Sequence, residues 1–305
     1  MPKRDAAPPT APGYLNVREV AAHLRIKERK VYDLVSRGAI PHTRAGGKLL
    51  FAVDAVERWL SGHAVVAAGT KPVPATIAGS HDPLLEWAVR ESRCSLALLT
   101  QGSLDGVERL LDGEACAALI HLPSRDLAGF NSEVAGERLR GRGIVLLEWA
   151  KRSSGLLVRK GNPKRLKEVS DLARRGVTVA LRPASAGSRV LLEHLLVADG
   201  LAIKSLKLSP GEATTESDLA LAIQHGEADA GLGAQSAAKL FGLDFVPVLT
   251  ERLDLAVLRS AYFEAPLQRL FAFAREKRFR EQARALTGYD VAGLGSVSWN
   301  DTSQA

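Results

Sequence analysis

Four short stretches of the 305-residue chain put Ser or Thr beside the predicted start of a helix. They are Gly79-Ser80-His81-Asp82, Gln101-Gly102-Ser103, Pro183-Ala184-Ser185-Ala186-Gly187-Ser188-Arg189 and Thr214-Thr215-Glu216-Ser217. Unpaired backbone N–H groups at a helix start, next to hydroxyls, can hold an anion. Ser and Thr are also good N-caps, so one such loop says little, whereas four in comparable places point to a pocket for a small anion. The candidate ligand residues are Ser80, His81, Ser103, Ser185, Ser188, Arg189 and Thr215. Hydrogen bonds to a charged group contribute roughly 1.5–3 kcal/mol each. A micromolar ligand requires about 8 kcal/mol, so several donors suffice without an arginine cluster. Aromatic residues make up 5% of the chain and none stands beside these loops, which disfavours an aromatic acid.

Several neighbouring residues have plainer readings. Ser80-His81-Asp82 are adjacent letters, whereas the members of a hydrolytic triad meet through the fold. His81 either donates to a ligand or caps its own turn, and Arg189 either neutralises an anion or faces solvent. His121, at a predicted strand end, reads as a satisfied core histidine, and Glu216 as a partner of a helix dipole. Asn131 and Tyr262 lie where a contact between lobes is conceivable, and the sequence does not decide. There is no P-loop, no dinucleotide fingerprint and no metal-ligand spacing. No catalytic acid, base or nucleophile set emerges, so no enzyme, cofactor or metal is expected.

The loops sit in a chain that alternates strands and helices from Thr76 onward. Predicted strands are 75–79, 95–100, 116–122, 143–147, 155–159, 177–181, 204–208, 228–232 and 245–247, with a further run at 253–258. Between them come helices at 83–91, 104–111, 169–174, 188–196, 217–225 and 235–241, and two more close the region at 266–276 and 279–286. Strands separated by helices of this length imply parallel βαβ units, whose ligands bind outside the carboxyl ends of the strands. The polar stretch from Gly293 reads as a loosely held tail.

Residues 14–60 have a different texture. Val17, Val20, Ala21 and Leu24 form the stripe of a short helix. A turn at Arg25-Ile26-Lys27 leads to a second helix with Val31, Leu34 and Val35 inward, which Gly38 stops. Thr43-Arg44, Gly46-Gly47 and Lys48-Leu49-Leu50-Phe51 read as a β-hairpin. Asp54 then opens a third helix carrying Val56, Trp59 and Leu60. Two helices on a tight turn followed by a hairpin form a helix-turn-helix with a wing. Residues 1–62 hold eleven Lys/Arg against six Asp/Glu, about five of the chain's seven net positive charges. That asymmetry points to an anionic polymer. On a duplex, Arg29, Lys30 and Asp33 on the second helix would face base edges, while Lys27, Arg44 and Lys48 would hold phosphates, and Arg37, on the same outward face, is a further DNA-binding candidate. Tyr32 is open between backbone contact and core.

This N-terminal order resembles the winged helix-turn-helix of the excisionase and MerR-like families. Many relatives carry Ser or Thr where Lys27 stands, so a weaker N-cap is expected there. The larger region resembles a type II periplasmic-binding-protein fold in its cytoplasmic sensor version, like the effector domain of LysR-type regulators. The stretches that carry this are TIAGSHDPLL, VLLEWAKRSSGLLVRKGNP, LRPASAGSR, TESDLALAIQHGEADAGLG and FVPVLTERLDLAVLRSAYFEAPLQRLFAF. The resemblance implies two α/β lobes, one of 76–147 with 258–290 and the other of 148–257, with a ligand between them. Similar domains occur joined to molybdopterin-biosynthesis enzymes, which implies molybdate or tungstate, with sulfate and phosphate still open.

The expected organisation is a disordered tail (1–13), a winged helix-turn-helix (14–62), a linker (63–75), a two-lobed sensor domain (76–290) and a tail (291–305). Hydrophobic content of 46% and charge of 25% suit a soluble globular protein. No apolar run reaches the length of a membrane span. Cys94 and Cys116 stand in no CxxC pair, which suits a reduced, cytoplasmic protein. These features lead to the expectation of a homodimeric regulator that binds double-stranded DNA and a small oxyanion. The alternatives are an excisionase-like architectural DNA-binding protein and a regulator that senses a small organic acid.

Overall fold

The computed structural model describes residues 13–24, 26–53, 55, 56, 59 and 73–301. The expected N-terminal tail up to residue 12, Arg25, Asp54, Leu60, most of the linker and residues 302–305 lie outside the described residues. The chain divides into two compact units, residues 1–70 and 71–305.

The first unit opens with β1 (Tyr14–Leu15) and α1 (Val17–His23). Asn16 caps α1: its side chain accepts from the Glu19 N–H at 3.0 Å, and the Glu19 carboxylate accepts from the Asn16 N–H at 2.8 Å. This reciprocal pair satisfies two otherwise orphaned donors. Next comes α2 (Glu28–Ser36), whose N-cap Lys27 supplies no side-chain bond. The predicted hairpin is β2 (Thr43–Ala45) and β3 (Lys48–Ala52), and the unanticipated β1 pairs with β3 to give the order β1-β3-β2. Val20, Val31, Val35, Ile40, Phe51 and Val56 fill the core, with Trp59 packed against it.

In the second unit, one ten-stranded sheet runs through two lobes. β4 (Thr76–Gly79), α3 (Pro83–Ser92), β5 (Ala97–Leu99), α4 (Ser103–Leu111) and β6 (Ala117–Ile120) make the first lobe, with β4 parallel to both β5 and β6. The predicted strands 143–147 and 155–159 are a single strand, β7 (Ile144–Val158). After the short β8 (Thr178–Val179) come α5 (Gly187–Ala198), β9 (Lys207–Leu208), α6 (Glu216–Gln224) and β10 (Ala230–Ala234) of the second lobe. The predicted run at 204–208 is a helical turn, Ile203–Ser205, followed by β9. Likewise 245–247 and 253–258 belong to one strand, β11 (Asp244–Leu258).

β7 and β11 pair antiparallel along their length, from Ile144–Leu258 at one end to Val158–Asp244 at the other. β6 joins β11 near Asp254–Val257, while β10 joins β7 near Ser154–Val158. The two long strands therefore carry the chain across between lobes twice. The polar stretch 148–154 misled the sequence reading because Arg152 and Glu148 are buried inside the strand. Residues expected to form a loose C-terminal tail are built into the sheet. β13 (Val297–Asn300) pairs with β7 after β12 (Tyr289–Asp290) has done the same.

The first lobe's core is aromatic at its centre, with Trp149 edge-on to Phe279 at 5.2 Å and Trp87 tilted on Phe273 at 5.3 Å. Phe273 and Phe279 come from α7 (Ala265–Ala274) and α8 (Lys277–Leu286). The second lobe's core is aliphatic, from Leu156, Val179, Leu191, Leu196 and Leu232 among others. Both cysteines are free and buried, with the Cys116 thiol donating to the Thr76 carbonyl at 3.2 Å. No helix among the described residues is long and apolar enough to cross a membrane.

Candidate functional site

The fold brings three of the predicted loops to one place. Ser80 lies just past the carboxyl end of β4, and Ser103 is the first residue of α4. Their hydroxyls share a hydrogen bond of 2.7 Å. Ser103 Oγ also accepts from the His121 N–H at 3.1 Å, just past β6. From the other lobe the first turn of α5, Gly187 and Ser188, meets the same residues. A Cβ built at Gly187 would stand 2.7 Å from the His121 ring and 2.8 Å from Ser103 Oγ, so only glycine allows this approach. Gly102 does the same one step away: its φ is +110°, and an added Cβ would lie 2.5 Å from the Ser185 carbonyl. The lobes are held together there by Leu104 N–H donating to that carbonyl at 3.2 Å and Ser185 Oγ donating to the Gln101 carbonyl at 2.9 Å.

A small cavity remains between Ser80, His81, Gly102, His121, Arg182, Ala186, Gly187, Ser188 and Glu216, with room for the centre of little more than one water-sized sphere, about 10 Å³. Arg182 had no motif to mark it. Its Nε is buried without a hydrogen-bond partner. Burial pushes the Arg182 pKa down against the pull of Glu216. His121 had been read as plain core. It is 3% exposed, and its Nδ1 bonds Glu251 Oε2 at 2.9 Å.

Next to the cavity lies a buried charge cluster centred on Arg152, from the middle of β7. Its guanidinium reaches Glu251 on β11, Asp82 at 3.3 Å and Glu216 at 3.3 Å. Tyr289 donates its phenol to Asp82 at 2.5 Å. Burial alone would lower the Arg152 pKa, but Glu251, Glu216 and Asp82 outweigh it and hold the cation well above its ordinary value. For Glu251, burial acts upward, yet Arg152 and His121 bring it down to about 2. Burial and then Asp82 push the Tyr289 phenol well above its usual range, so it stays a donor.

The other predicted ligand residues are placed differently. Arg189 is tied to Glu193 at 2.7 Å, to the Arg182 carbonyl at 3.2 Å and to Glu212 at 3.7 Å, and does not line the cavity. Thr215 caps α6 in a box with Asp218, and its helix delivers Glu216 to Arg152. Ser185 bridges the lobes, as described above. His81 Nε2 bonds Glu86 at 3.2 Å, while its buried Nδ1 has no partner. Asn131 locks a loop, its side chain accepting from Leu122 N–H at 2.7 Å and donating to Asp254 at 2.7 Å. Ser80, His81 and Asp82 go three separate ways, since Asp82 caps α3 at Leu85 N–H and binds Arg152. Among the described residues, His121 Nε2 bonds neither Ser80 nor Ser103.

In the first unit, Lys27, Arg29, Lys30 and Arg37 are exposed along α2. Asp33 sits between two of them, bonding Lys30 at 3.0 Å and Arg37 at 2.8 Å. The Lys30 bond, with Arg37 assisting, holds the Asp33 carboxyl below its usual range. Arg44 and Lys48, on the wing, line a groove with Arg18, Tyr32 and Ser36. Tyr32 is 54% exposed, so it is free for contact and not part of the core.

Comparison with known proteins agrees with this division. The helix-turn-helix domain family matches residues 14–64, and the PBP superfamily domain matches residues 86–275. The chain belongs to the PBP superfamily. The second unit has the fold of the sulfate-binding protein SubI from Mycobacterium tuberculosis H37Rv, at a TM-score of 0.50 and 15% identity over 70% of this chain and 85% of that one. It also has the fold of a phosphate ABC transporter substrate-binding protein from Clostridium perfringens, solved with bound phosphate, at a TM-score of 0.51 and 14% identity over 72% and 98%. Along nearly its whole length the chain is similar to the uncharacterized protein YvgK of Bacillus subtilis strain 168, 25% identical over 92% of this chain and 96% of that protein. One chain thus carries a DNA-binding type of module followed by a ligand-binding type, and neither match is to an enzyme family.

Proposed function

We propose that the protein is a one-component transcriptional regulator whose cleft binds a small tetrahedral oxyanion and whose winged module binds double-stranded DNA. The observation that carries the ligand reading is the convergence of Ser80, Ser188, the first turn of α5 and the unpartnered Arg182 Nε on one cavity, with Ser103 behind Ser80. Hydroxyls, amide N–H groups and a guanidinium suit an oxyanion. The cavity holds little more than one water as it stands, so a compact ion requires a smaller parting of the lobes than an amino acid or an aromatic acid would. The proteins of like fold carry sulfate and phosphate in their names, which supports the class. Molybdate and tungstate are favoured within it by the resemblance to domains joined to molybdopterin-biosynthesis enzymes.

One winged module covers a half-site, so a homodimer on a two-fold operator is part of this reading. Arg29, Lys30 and Arg37 then read bases while Lys27, Arg44 and Lys48 hold phosphates. Ligand acts by binding the closed cleft better than the open one, and a ten- to hundredfold coupling corresponds to about 1.4–2.7 kcal/mol. The test is thermal unfolding of the full chain against molybdate, tungstate, sulfate, phosphate and a panel of organic acids. Selective stabilisation by an oxyanion is expected. Stabilisation by organic acids alone would move the reading to that ligand class, and silence across the panel would remove it.

A further inference from the structure

We infer that the second unit carries a DNA-binding face of its own, a basic surface at the amino ends of β8 and β9 that holds duplex phosphates without reading sequence. This rests on the DNA-binding reading above. Residues 159–175 contain seven Lys and Arg against two Asp and Glu. The rest of the second unit holds twenty-three against twenty-six, so its whole excess of positive charge lies in this one run. The run links β7 to β8. It stands at the end of the sheet away from the cavity, because Arg182 and Gly187, which line the cavity, follow the carboxyl end of β8. Thr178 of β8 pairs in parallel with Lys207 of β9, which brings Lys207, and Lys204 in the turn before it, to the same end.

The cations fall into two sets. Arg159 and Lys164 meet Asp229 at 3.3 and 3.7 Å, and Arg174 meets Asp171 at 3.2 Å. Lys164 Nζ also donates to the Gly176 carbonyl at 2.7 Å, and Arg174 to the Lys164 carbonyl at 3.0 Å. These bonds tie the turn after β7 to the segment before β8. Asn162 braces the same turn, donating to the Leu166 carbonyl at 2.8 Å and accepting from the Leu166 N–H at 3.0 Å. Asn162 and Arg165 have φ of +44° and +53°, a conformation uncommon for arginine, and such backbone persists only where its surroundings over-determine it. The second set, Lys160, Arg165, Lys167, Arg175, Lys204 and Lys207, is exposed and joins no ion pair among the described residues. Glu168, Asp199 and Glu227 are exposed acids at that end, likewise outside any ion pair, which leaves an uncompensated charge of about +3.

A polyanion answers such a surface. Each phosphate neutralised by Lys or Arg releases counterions, a gain that grows with the number of contacts and ignores base sequence. The held turn fixes the backbone beneath its cations, which lowers the ordering cost of binding. Duplex DNA is the polyanion that the helix-turn-helix of the same chain fits. A face of this kind alone binds weakly at physiological salt, with Kd of roughly 10⁻⁴–10⁻⁶ M, so the choice of sequence stays with α2.

The test uses the full chain with its winged module silenced by Arg29→Ala, Lys30→Ala, Arg44→Ala and Lys48→Ala, and follows anisotropy of a labelled duplex of arbitrary sequence between roughly 50 and 200 mM salt. Residual binding is expected at the low-salt end, with log K falling against log salt by about 0.9 per phosphate contact. Adding Lys160→Gln, Arg165→Gln, Lys167→Gln and Arg175→Gln removes none of the bonds that hold the turn and should abolish that binding at an unchanged unfolding midpoint. Should this variant not fold, Lys204→Gln with Lys207→Gln puts the same question from β9, and the slope should fall by about one or more. Arg269→Gln, Arg275→Gln, Lys277→Gln and Arg280→Gln take the same charge from the first lobe and should leave binding in place. No residual binding by the silenced chain, residual binding that survives loss of the basic face, or an equal loss in the first-lobe control would overturn the inference while leaving the DNA reading intact. If the native protein binds no duplex at any salt, the DNA reading falls and takes this inference with it.

Discussion

Arg152→Met tests whether the buried cluster behaves as the structure implies. Arg152 is 2% exposed and holds three carboxylates, two of them at 3.3 Å. At an effective dielectric of about 20, each such contact represents roughly 5 kcal/mol of attraction. Most of that offsets the cost of burying the ions, so the intact cluster adds only modestly to stability. Removing the cation alone is another matter, because Glu251, Glu216 and Asp82 are left facing one another. Breaking one buried pair typically costs about 3–5 kcal/mol, and with three acids stranded the loss should reach the upper end. That is a large share of the roughly 5–15 kcal/mol that holds a domain together. The pH dependence should also reverse sign. In the native protein Glu251 sits at about 2 instead of 4.5. Its contribution of roughly 3 kcal/mol is complete above the unfolded value and is lost as pH falls through the folded one. In Arg152→Met, burial raises the carboxyls, the folded state binds protons more tightly, and stability is lost as pH rises. Acidification from pH 7 towards 5 should therefore narrow the gap between the two proteins. Urea unfolding followed by tryptophan fluorescence reads this, since Trp87, Trp149 and Trp299 all lie in the second unit. A variant within about 1 kcal/mol of the native protein at pH 7, with a deficit that acid does not change, would refute the reasoning.

Ser103→Ala removes the acceptor of the His121 N–H and the partner of Ser80. With the Ser80 hydroxyl no longer held at the cavity, oxyanion affinity should fall by up to about tenfold in titration calorimetry, as expected for one neutral hydrogen bond. Gly187→Ala forces a methyl group to within 2.7 Å of the His121 ring, so the lobes should stand further apart in small-angle scattering and ligand binding should be lost. Arg29→Ala combined with Lys30→Ala should abolish DNA binding in a mobility-shift assay while leaving the ligand-induced thermal shift in place. Loss of both responses together would mean that the two units do not act as assigned. Asn16→Ala removes a capping box and should destabilise α1 by about 1 kcal/mol, read as faster amide exchange over Val17–His23.

The parts of this fold that were legible in the sequence are those where local chemistry and global packing agree. Val17, Val20 and Ala21 at helical spacing, the Gly46-Gly47 turn and the hydroxyl loops ahead of helices could all be read residue by residue. What escaped were features made by distance. Asp82, Glu216 and Glu251 lie 70, 64 and 99 residues from Arg152, and no short-range pattern marks such a group. The same burial hid β7, because the buried Arg152 and Glu148 interrupt the apolar run that announces a strand. His121 looked like core because it is core on one side. Its role as a cavity wall depends on Gly187, 66 positions further along the chain. Val297-Ser298-Trp299-Asn300 looked too polar for structure, yet β7 provides a ladder for its backbone, and that pairing outweighs the short apolar content.

On the proposed reading, a ligand's bonds are to be weighed against the bonds that already join the lobes beside the cavity. Near the cavity the backbone and hydroxyl bonds between the lobes are Leu104–Ser185 and Ser185–Gln101, beside the glycine contacts; Val190 of α5 also packs on the first lobe's apolar cluster and Leu127 on the second lobe's. Neutral hydrogen bonds contribute about 0.5–1.5 kcal/mol each, so these two add roughly 1–3 kcal/mol to what the ion pairs and apolar packing between the lobes supply. An oxyanion accepting from Ser80 on one side and from Ser188 and the α5 amides on the other would add charged bonds of roughly 1.5–3 kcal/mol each. The ligand's share would then be comparable to or larger than that of these two hydrogen bonds. A tightly latched cleft would stay shut with or without ligand, and a ligand shifts an equilibrium only by its differential affinity for the two states. Under the proposed reading, the polar bonds beside Gly102 and Gly187 are the part of the closure that a single small ion would reinforce directly.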